Sequence, residues 1–300
     1  FFLGMVNVGL LNPLSSKLYE IHETLDFRFK TKNPDAVLFS SKGFWIESDR
    51  MLGLNFSPHS LEVQRSVVME EFKQRILNQP YGDVSHYLRP LAYQVHPYRW
   101  PTIGRNLEHI AEATLDQVKD FFYRFYAPNN AILAVTGHIS WEETMQLAEK
   151  WFGPIPRREV PLRDLPQEPV QEKQRRQEVE RPIPLDAFYL AFHMVPRNHP
   201  DFYACDILSD ILSNGKSSRL QQRLVQEQKI FSNIDCYISS SRDAGLIYIS
   251  GKPAQGISLA EAEAAVWTQL QLLISQPVEA LELEKVKNKF EATQIFNNLN

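Results

Sequence analysis

Cysteine is scarce in this sequence, with only Cys205 and Cys236 among 300 residues. Two thiols cannot staple a chain of this length, so a disulfide framework is excluded and a reducing compartment, the cytoplasm, is expected. Neither sign of charge is in excess. Thirty-two basic side chains face 36 acidic ones, a formal net charge of −4. A basic surplus that would attract phosphate is missing, so no nucleic-acid partner is expected. Membrane-spanning runs are lacking too. The opening FFLGMVNVGLLNPL has 14 residues, too few to cross a bilayer, and no basic flank precedes it as in a signal peptide. No membrane partner is expected. With 43% hydrophobic and 23% charged residues in 34.8 kDa, the chain has the composition of a globular protein of two ordinary domains or one large one.

Several catalytic signatures are also absent. No G-x-S-x-G elbow marks a serine nucleophile, and the cysteines lack the C-x-x-C spacing of a thiolate zinc site. Asn214-Gly215-Lys216-Ser217 resembles the end of a phosphate-binding loop. Asp210 stands where that loop needs its first glycine, however, and a helix precedes it instead of a strand, so a helix stop and N-cap is the better reading. His22-Glu23-Thr24-Leu25-Asp26 begins like a zinc motif and ends in aspartate. His59-Ser60-Leu61-Glu62-Val63 begins like its inverted form and ends in valine, which cannot ligate zinc. His109 and Glu112 have metal-compatible spacing and read as a solvated helix face.

Proline divides what is present. Seven of the 19 prolines fall between Pro154 and Pro184, among charges such as Arg157, Arg158, Glu172, Arg175 and Arg176. Proline fixes φ and removes donors, and few large apolar side chains are there to bury, so an extended, solvated linker is expected over 155–182. It separates a domain over 1–154 from another over 183–300. In the first, helices are predicted over Leu61–Asn78, Val84–Tyr93, Thr114–Tyr126 and Ser140–Trp151, with capping boxes at Thr114/Gln117 and Ser140/Glu143. Ala131–Thr136 reads as a short buried strand. The second has a strand over Ala187–Met194, helices over Asp201–Leu212 and Ser218–Gln228, and a hairpin of Ile234–Ser239 with Leu246–Ser250. A helix capped by Ser258/Glu261 follows, and another begins near Pro277. Strands and helices without strict alternation indicate an α+β fold.

One carboxylate stands out. Glu71 lies on the helical arc between Val67 and Val68, with Gln64 a heptad earlier, whereas Glu70 lies off it. A carboxylate flanked by branched aliphatics is costly unless a cation or donors meet it, and either an arginine or a zinc ion would serve.

The stretch FWIESDRM from Phe44, followed by LEVQRSVVMEEFKQRILNQPYG and HPYRWPTIG, resembles the insulinase/pitrilysin-type zinc peptidases, processing-peptidase relatives included. The runs FYRFYAPNNAILAVTGHI, KWFGPIP, AFHMVPRNHPDFYACDILSDILSNGKSSRLQQRL and ELEKVKNKFEATQ extend the resemblance to Asn300. It implies two related α+β domains, each a mainly antiparallel sheet packed with helices, the second incomplete. It also implies a zinc cofactor, a peptide substrate and hydrolysis by zinc-activated water with a glutamate base. Glu71 matches the third zinc ligand. The H-x-x-E-H helix carrying the other two ligands and the base would fall at or just before Phe1 and is absent, and residues 1–43 are atypical. The expectation is therefore a fragment, beginning without Met and ending within a helix, that binds zinc weakly and does not cleave peptides alone. Gln64 replaces an acid of the family pattern. An Arg-Tyr pair that holds the substrate carbonyl in some members aligns with Leu224 and Phe231, neither of which donates a hydrogen bond. The resemblance thus leaves two readings, a zinc endopeptidase fragment or a non-catalytic scaffold. It also allows a homodimer, or a heterodimer with a subunit that carries the Arg-Tyr pair.

Overall fold

The computed structural model describes residues 36–135 and 139–299. The near-motif at His22 and the apolar opening lie outside them. In chain order the described α-helices are α1 (Ala36–Leu52), α2 (Pro58–Phe72), α3 (Val84–Ala92), α4 (Leu107–Ala111), α5 (Leu115–Phe125), α6 (Trp141–Phe152), α7 (Phe202–Ser213), α8 (Leu259–Ser275) and α9 (Ala280–Leu299), and the helix expected over Ser218–Gln228 forms as a π-helix over Gln221–Glu227. The strands are β1 (Phe188–Met194), β2 (Phe231–Ile238) and β3 (Gly245–Pro253). The mixture of helices and antiparallel sheet is the α+β class read from the sequence. The chain forms two compact units, one from Phe1–Gly82 and His96–Gln167, the other from Asp83–Val95 and Glu168–Asn300.

Unit 1 is helical over its described residues. Ser57 starts α2 by accepting the Ser60 N–H at 3.1 Å, and Pro58 occupies the first turn, where a missing amide donor costs nothing. Beyond Phe72 the helix widens into a π-turn over Lys73–Leu77, which completes the helix predicted to Asn78. Leu61 clusters with Val118 of α5, while Val68 and Phe72 cluster with Ile110 of α4. The capping boxes at Thr114/Gln117 and Ser140/Glu143 form as predicted and open α5 and α6.

The strand expected over Ala131–Thr136 does not form over its described residues, 131–135. Residues 131–135 have no regular structure, and Ile132 is 97% exposed. A β-prone composition becomes a strand only when a neighbour supplies the other half of the hydrogen-bond ladder. No strand of unit 1 does so among the described residues.

Unit 2 centres on an antiparallel sheet in the order β1-β3-β2, with Leu190 opposite Ile249 and Cys236 opposite the same residue from the other side. Its core gathers Phe188, Leu220, Leu224, Phe231, Ile234 and Val266. Each such side chain contributes about 1.5–3 kcal/mol by leaving water. β3 lies between the other two strands, so β2 has an outer edge, and side chains cover it. Ser213 of α7 donates to the Cys236 carbonyl at 2.9 Å and accepts the Cys236 amide at 2.6 Å. Gln221 donates to the Ile234 carbonyl at 2.6 Å. Helix α3 belongs to this unit and packs on β1. Tyr93, just after α3, donates its hydroxyl to the Ala244 carbonyl at 3.0 Å and sets its ring edge-on to His193.

No regular element lies between Phe152 and Phe188, as the proline content predicts. The segment is nevertheless tied down. Arg158 donates to the carbonyls of Tyr126 at 2.6 Å and Leu52 at 3.3 Å, at the C-terminal ends of α5 and α1, where helix dipoles favour a cation.

Candidate functional site

Glu71 sits in the last turn of α2, beside the buried Val68 on one side of its arc and the exposed Val67 on the other. Its side chain is 19% exposed, and Oε1 meets the Arg75 guanidinium at 2.9 Å. The spacing is i, i+4, acid before base, which a helix supports. Arg75 itself is 66% exposed, so the pair is screened by water and adds little stability. In this structure the cation beside the carboxylate is the Arg75 guanidinium. Glu70 points outward and meets Lys73 only at 3.7 Å, as its place off the arc requires. Gln64 is buried on the same stripe as Glu71.

In the sequence, Val63, Val67, Val68, Phe72, Ile76 and Leu77 spread around much of the circumference of this helix, a pattern that suggests contacts on more than one side, and the structure departs from it. Val63 and Val67, read as contact residues, are exposed, Val67 by 52%. Among the described residues only the Leu61–Val68–Phe72 face is covered.

The other sequence candidates do not converge. No group of three or more His, Cys, Asp or Glu side chains capable of holding a metal exists among the described residues. His59 lies exposed in the first turn of α2, and Glu62 is ion-paired to Arg65. His109 and Glu112 are solvated, as expected. Asn214-Gly215 ends α7, with Gly215 at φ +102°, a left-handed turn that favours glycine.

Leu224 is 0% exposed and Phe231 2%, both inside the unit 2 core. Whatever residue stood at these positions would face that core. Their successors, Val225 and Ser232, have the same separation and lie farther out. Valine has no donor, and the Ser232 hydroxyl is engaged by the Lys252 carbonyl at 3.0 Å. In either register these two positions do not supply two donors for a developing oxyanion.

Both cysteines are free. Burial, helped by Asp210 and Asp235, pushes the Cys236 thiol up from 9.0 to about 12, which disfavours the nucleophilic thiolate. The folded chain keeps this proton to about pH 12, whereas the unfolded chain loses it near 9. The stabilisation is therefore complete below pH 9 and is lost as pH rises from 9 to 12, by up to about 1.4 kcal/mol per pH unit. Denaturant unfolding across this range should show the decline, and Cys236→Ala should flatten it.

The partner that sequence reasoning left unnamed is Arg75. Its signal was the i, i+4 spacing from Glu71, readable in the helix.

Residues 112–290 match the sequence model of the peptidase M16 inactive domain. The zinc protease PqqE of Helicobacter pylori is 28% identical over 273 residues, which is 90% of this chain and 61% of that protein. The probable mitochondrial-processing peptidase subunit beta of Schizosaccharomyces pombe is 25% identical, covering 81% of this chain and 54% of the relative. Among solved structures, a protease from Helicobacter pylori aligns with a TM-score of 0.78 and 27% identity over 87% of this chain and 63% of that one. A peptidase M16 inactive domain from Pseudomonas fluorescens aligns with a TM-score of 0.74 at 20% identity, over 83% and 60% of the two chains, a likeness of fold. This chain spans little more than half the length of these curated relatives.

Proposed function

The chain belongs to the M16 zinc peptidase family, matching its inactive domain, and from that premise we propose that it is a part of a zinc metalloendopeptidase that does not hydrolyse peptides by itself. The observation that carries this reading is Glu71 held by Arg75 at 2.9 Å. A catalytic zinc takes three protein ligands and keeps a fourth position for water. Glu71 would be one of them, as the resemblance implies, but the described residues offer no set of three. They do not by themselves fit a zinc ion. Leu224 and Phe231, sealed in the core, supply no help to a substrate carbonyl.

The activity therefore needs the two remaining ligands and the base from elsewhere, and donors to the substrate carbonyl from a subunit that carries the Arg-Tyr pair. Assemblies occur in the family, since the mitochondrial-processing relatives are named as subunits. One observation favours the second reading, a non-catalytic scaffold or partner subunit. Val63, Val67 and Ile132 present apolar surface in unit 1, of the kind a partner covers.

The purified 300-residue chain, equilibrated with zinc and dialysed into metal-free buffer, is expected to retain far less than one zinc per chain by elemental analysis. Glu71→Ala should change nothing. Stoichiometric zinc that Glu71→Ala abolishes overturns the proposal. Light scattering on the same sample separates the two readings, with a monomer favouring the enzyme part and a dimer the partner subunit.

A further inference from the structure

Unit 2 is assembled from two separate stretches of chain, Asp83–Val95 and Glu168–Asn300. Helix α3 is therefore contributed by a part of the sequence that otherwise builds unit 1. The second half of the proline-rich segment runs along that helix in the opposite direction and grips it at both ends. Glu168 accepts the Gln94 and Val95 amides at 2.6 and 3.0 Å, just past the end of α3. Arg175 donates to the Leu91 carbonyl at 2.6 Å and the Ala92 carbonyl at 3.4 Å, the last carbonyls of the helix. Arg181 donates to Asp83 at 3.0 Å, the residue that precedes the first turn, and to the Tyr87 hydroxyl. The successive anchors at 168, 175 and 181 thus meet 94–95, 91–92 and 83–87.

Each contact involves an ionised group on a backbone, carboxylate or hydroxyl partner, the stronger class of hydrogen bond. Arg175 also sits at the negative end of the helix dipole, and Arg181 meets the carboxylate at its start. Between the Arg158 anchor on unit 1 and the Glu168 anchor on unit 2, residues 162–167 are all exposed. Exposed loop tips without regular structure are where chains tolerate nicking.

We infer that residues 162–167 form a joint at which the chain can be cut without coming apart, because the strap of residues 168–181 and helix α3 lie on opposite sides of the cut and hold each other. A break at the joint yields an N-terminal piece containing α3 and a C-terminal piece containing the strap and the sheet. The pieces are joined by the strap anchors, by Tyr93 on Ala244 and by the packing of α3 on β1.

The test inserts a site-specific protease recognition sequence between Asp164 and Leu165 of the full chain and cleaves it after folding. The two fragments should co-elute as one species on size exclusion in native buffer and separate only in denaturant. Two separately eluting fragments overturn the inference. In the cleaved protein, the double variant Arg175→Ala, Arg181→Ala should raise the dissociation constant of the fragments by about tenfold or more. An unchanged constant overturns the role given to the strap. Should that variant fail to fold uncut, Glu168→Gln reads the same interface more gently and should give a smaller increase, and no increase overturns the strap's role in the same way.

Discussion

Phe231→Ala is expected to lower the unfolding free energy of unit 2 by about 3–5 kcal/mol, the cost of emptying a large aromatic from a closed core. The ring is 2% exposed and faces Phe188 at a centroid distance of 6.3 Å. It also covers the backbone of Gly251 so closely that a β-carbon built there would lie 2.5 Å from its Cε1 atom. Gly251→Ala should therefore be destabilising alone, by about 1–3 kcal/mol, because a buried ring must shift to admit the methyl group. In the Phe231→Ala background the same methyl enters vacated space, and Gly251→Ala should cost almost nothing. Denaturant unfolding of the four proteins forms a double-mutant cycle. Simple additivity would mean that the ring is not what excludes the side chain at 251. A small loss in Phe231→Ala would return position 231 to the list of surface residues able to meet a substrate.

Ser213→Ala should lower stability by roughly 2–4 kcal/mol, a large effect for the loss of one oxygen. That hydroxyl satisfies two groups at once, the amide and the carbonyl of Cys236. Both belong to the outer edge of β2, which β3 cannot reach. Alanine leaves both buried without that partner, and an orphaned buried group costs more than a made hydrogen bond contributes. Ser213→Thr keeps the hydroxyl and should recover much of the loss if the added methyl is accommodated. Amide hydrogen exchange gives a local readout, with Cys236 exchanging much faster in the alanine variant while β1 amides keep most of their protection. Equal loss of protection across the sheet would show that the serine supports the whole unit and not its edge.

Local signals were legible in the sequence. The boxes at Thr114, Ser140 and Ser258 each depend on residues three apart, so their physics is complete within one turn, and all three form. The hairpin of β2 and β3 was readable from the two strand-like runs Ile234–Ser239 and Leu246–Ser250. The segment at 131 was misread because a strand is a property of two stretches of chain, and composition describes only one. The exposed Val63 and Val67 were misread for a related reason, since periodicity shows which side chains share a face without showing what covers it. Glu71 stands out by its place among aliphatics, and Arg75 was readable from its i, i+4 spacing, while the ion pair itself needed the geometry. The sequence placed α3 as a helix without revealing which unit it would join. That depends on Arg175 and Arg181, about ninety residues away along the chain.

The split origin of unit 2 has a consequence for the chain as it is made. Asp83–Val95 leaves the ribosome well before β1, β2 or β3 exists, so during that interval its helix has no sheet to rest on. An isolated helix of nine residues is marginal in water. Synthesis thus sets an order in which unit 1 can begin to settle early, while α3 waits as an unpaired segment for the strap and strands to arrive. Closing so long a loop adds only slowly growing entropy but slows the search. The last step of assembly in unit 2 is then a capture, in which newly made chain returns to claim a piece made earlier.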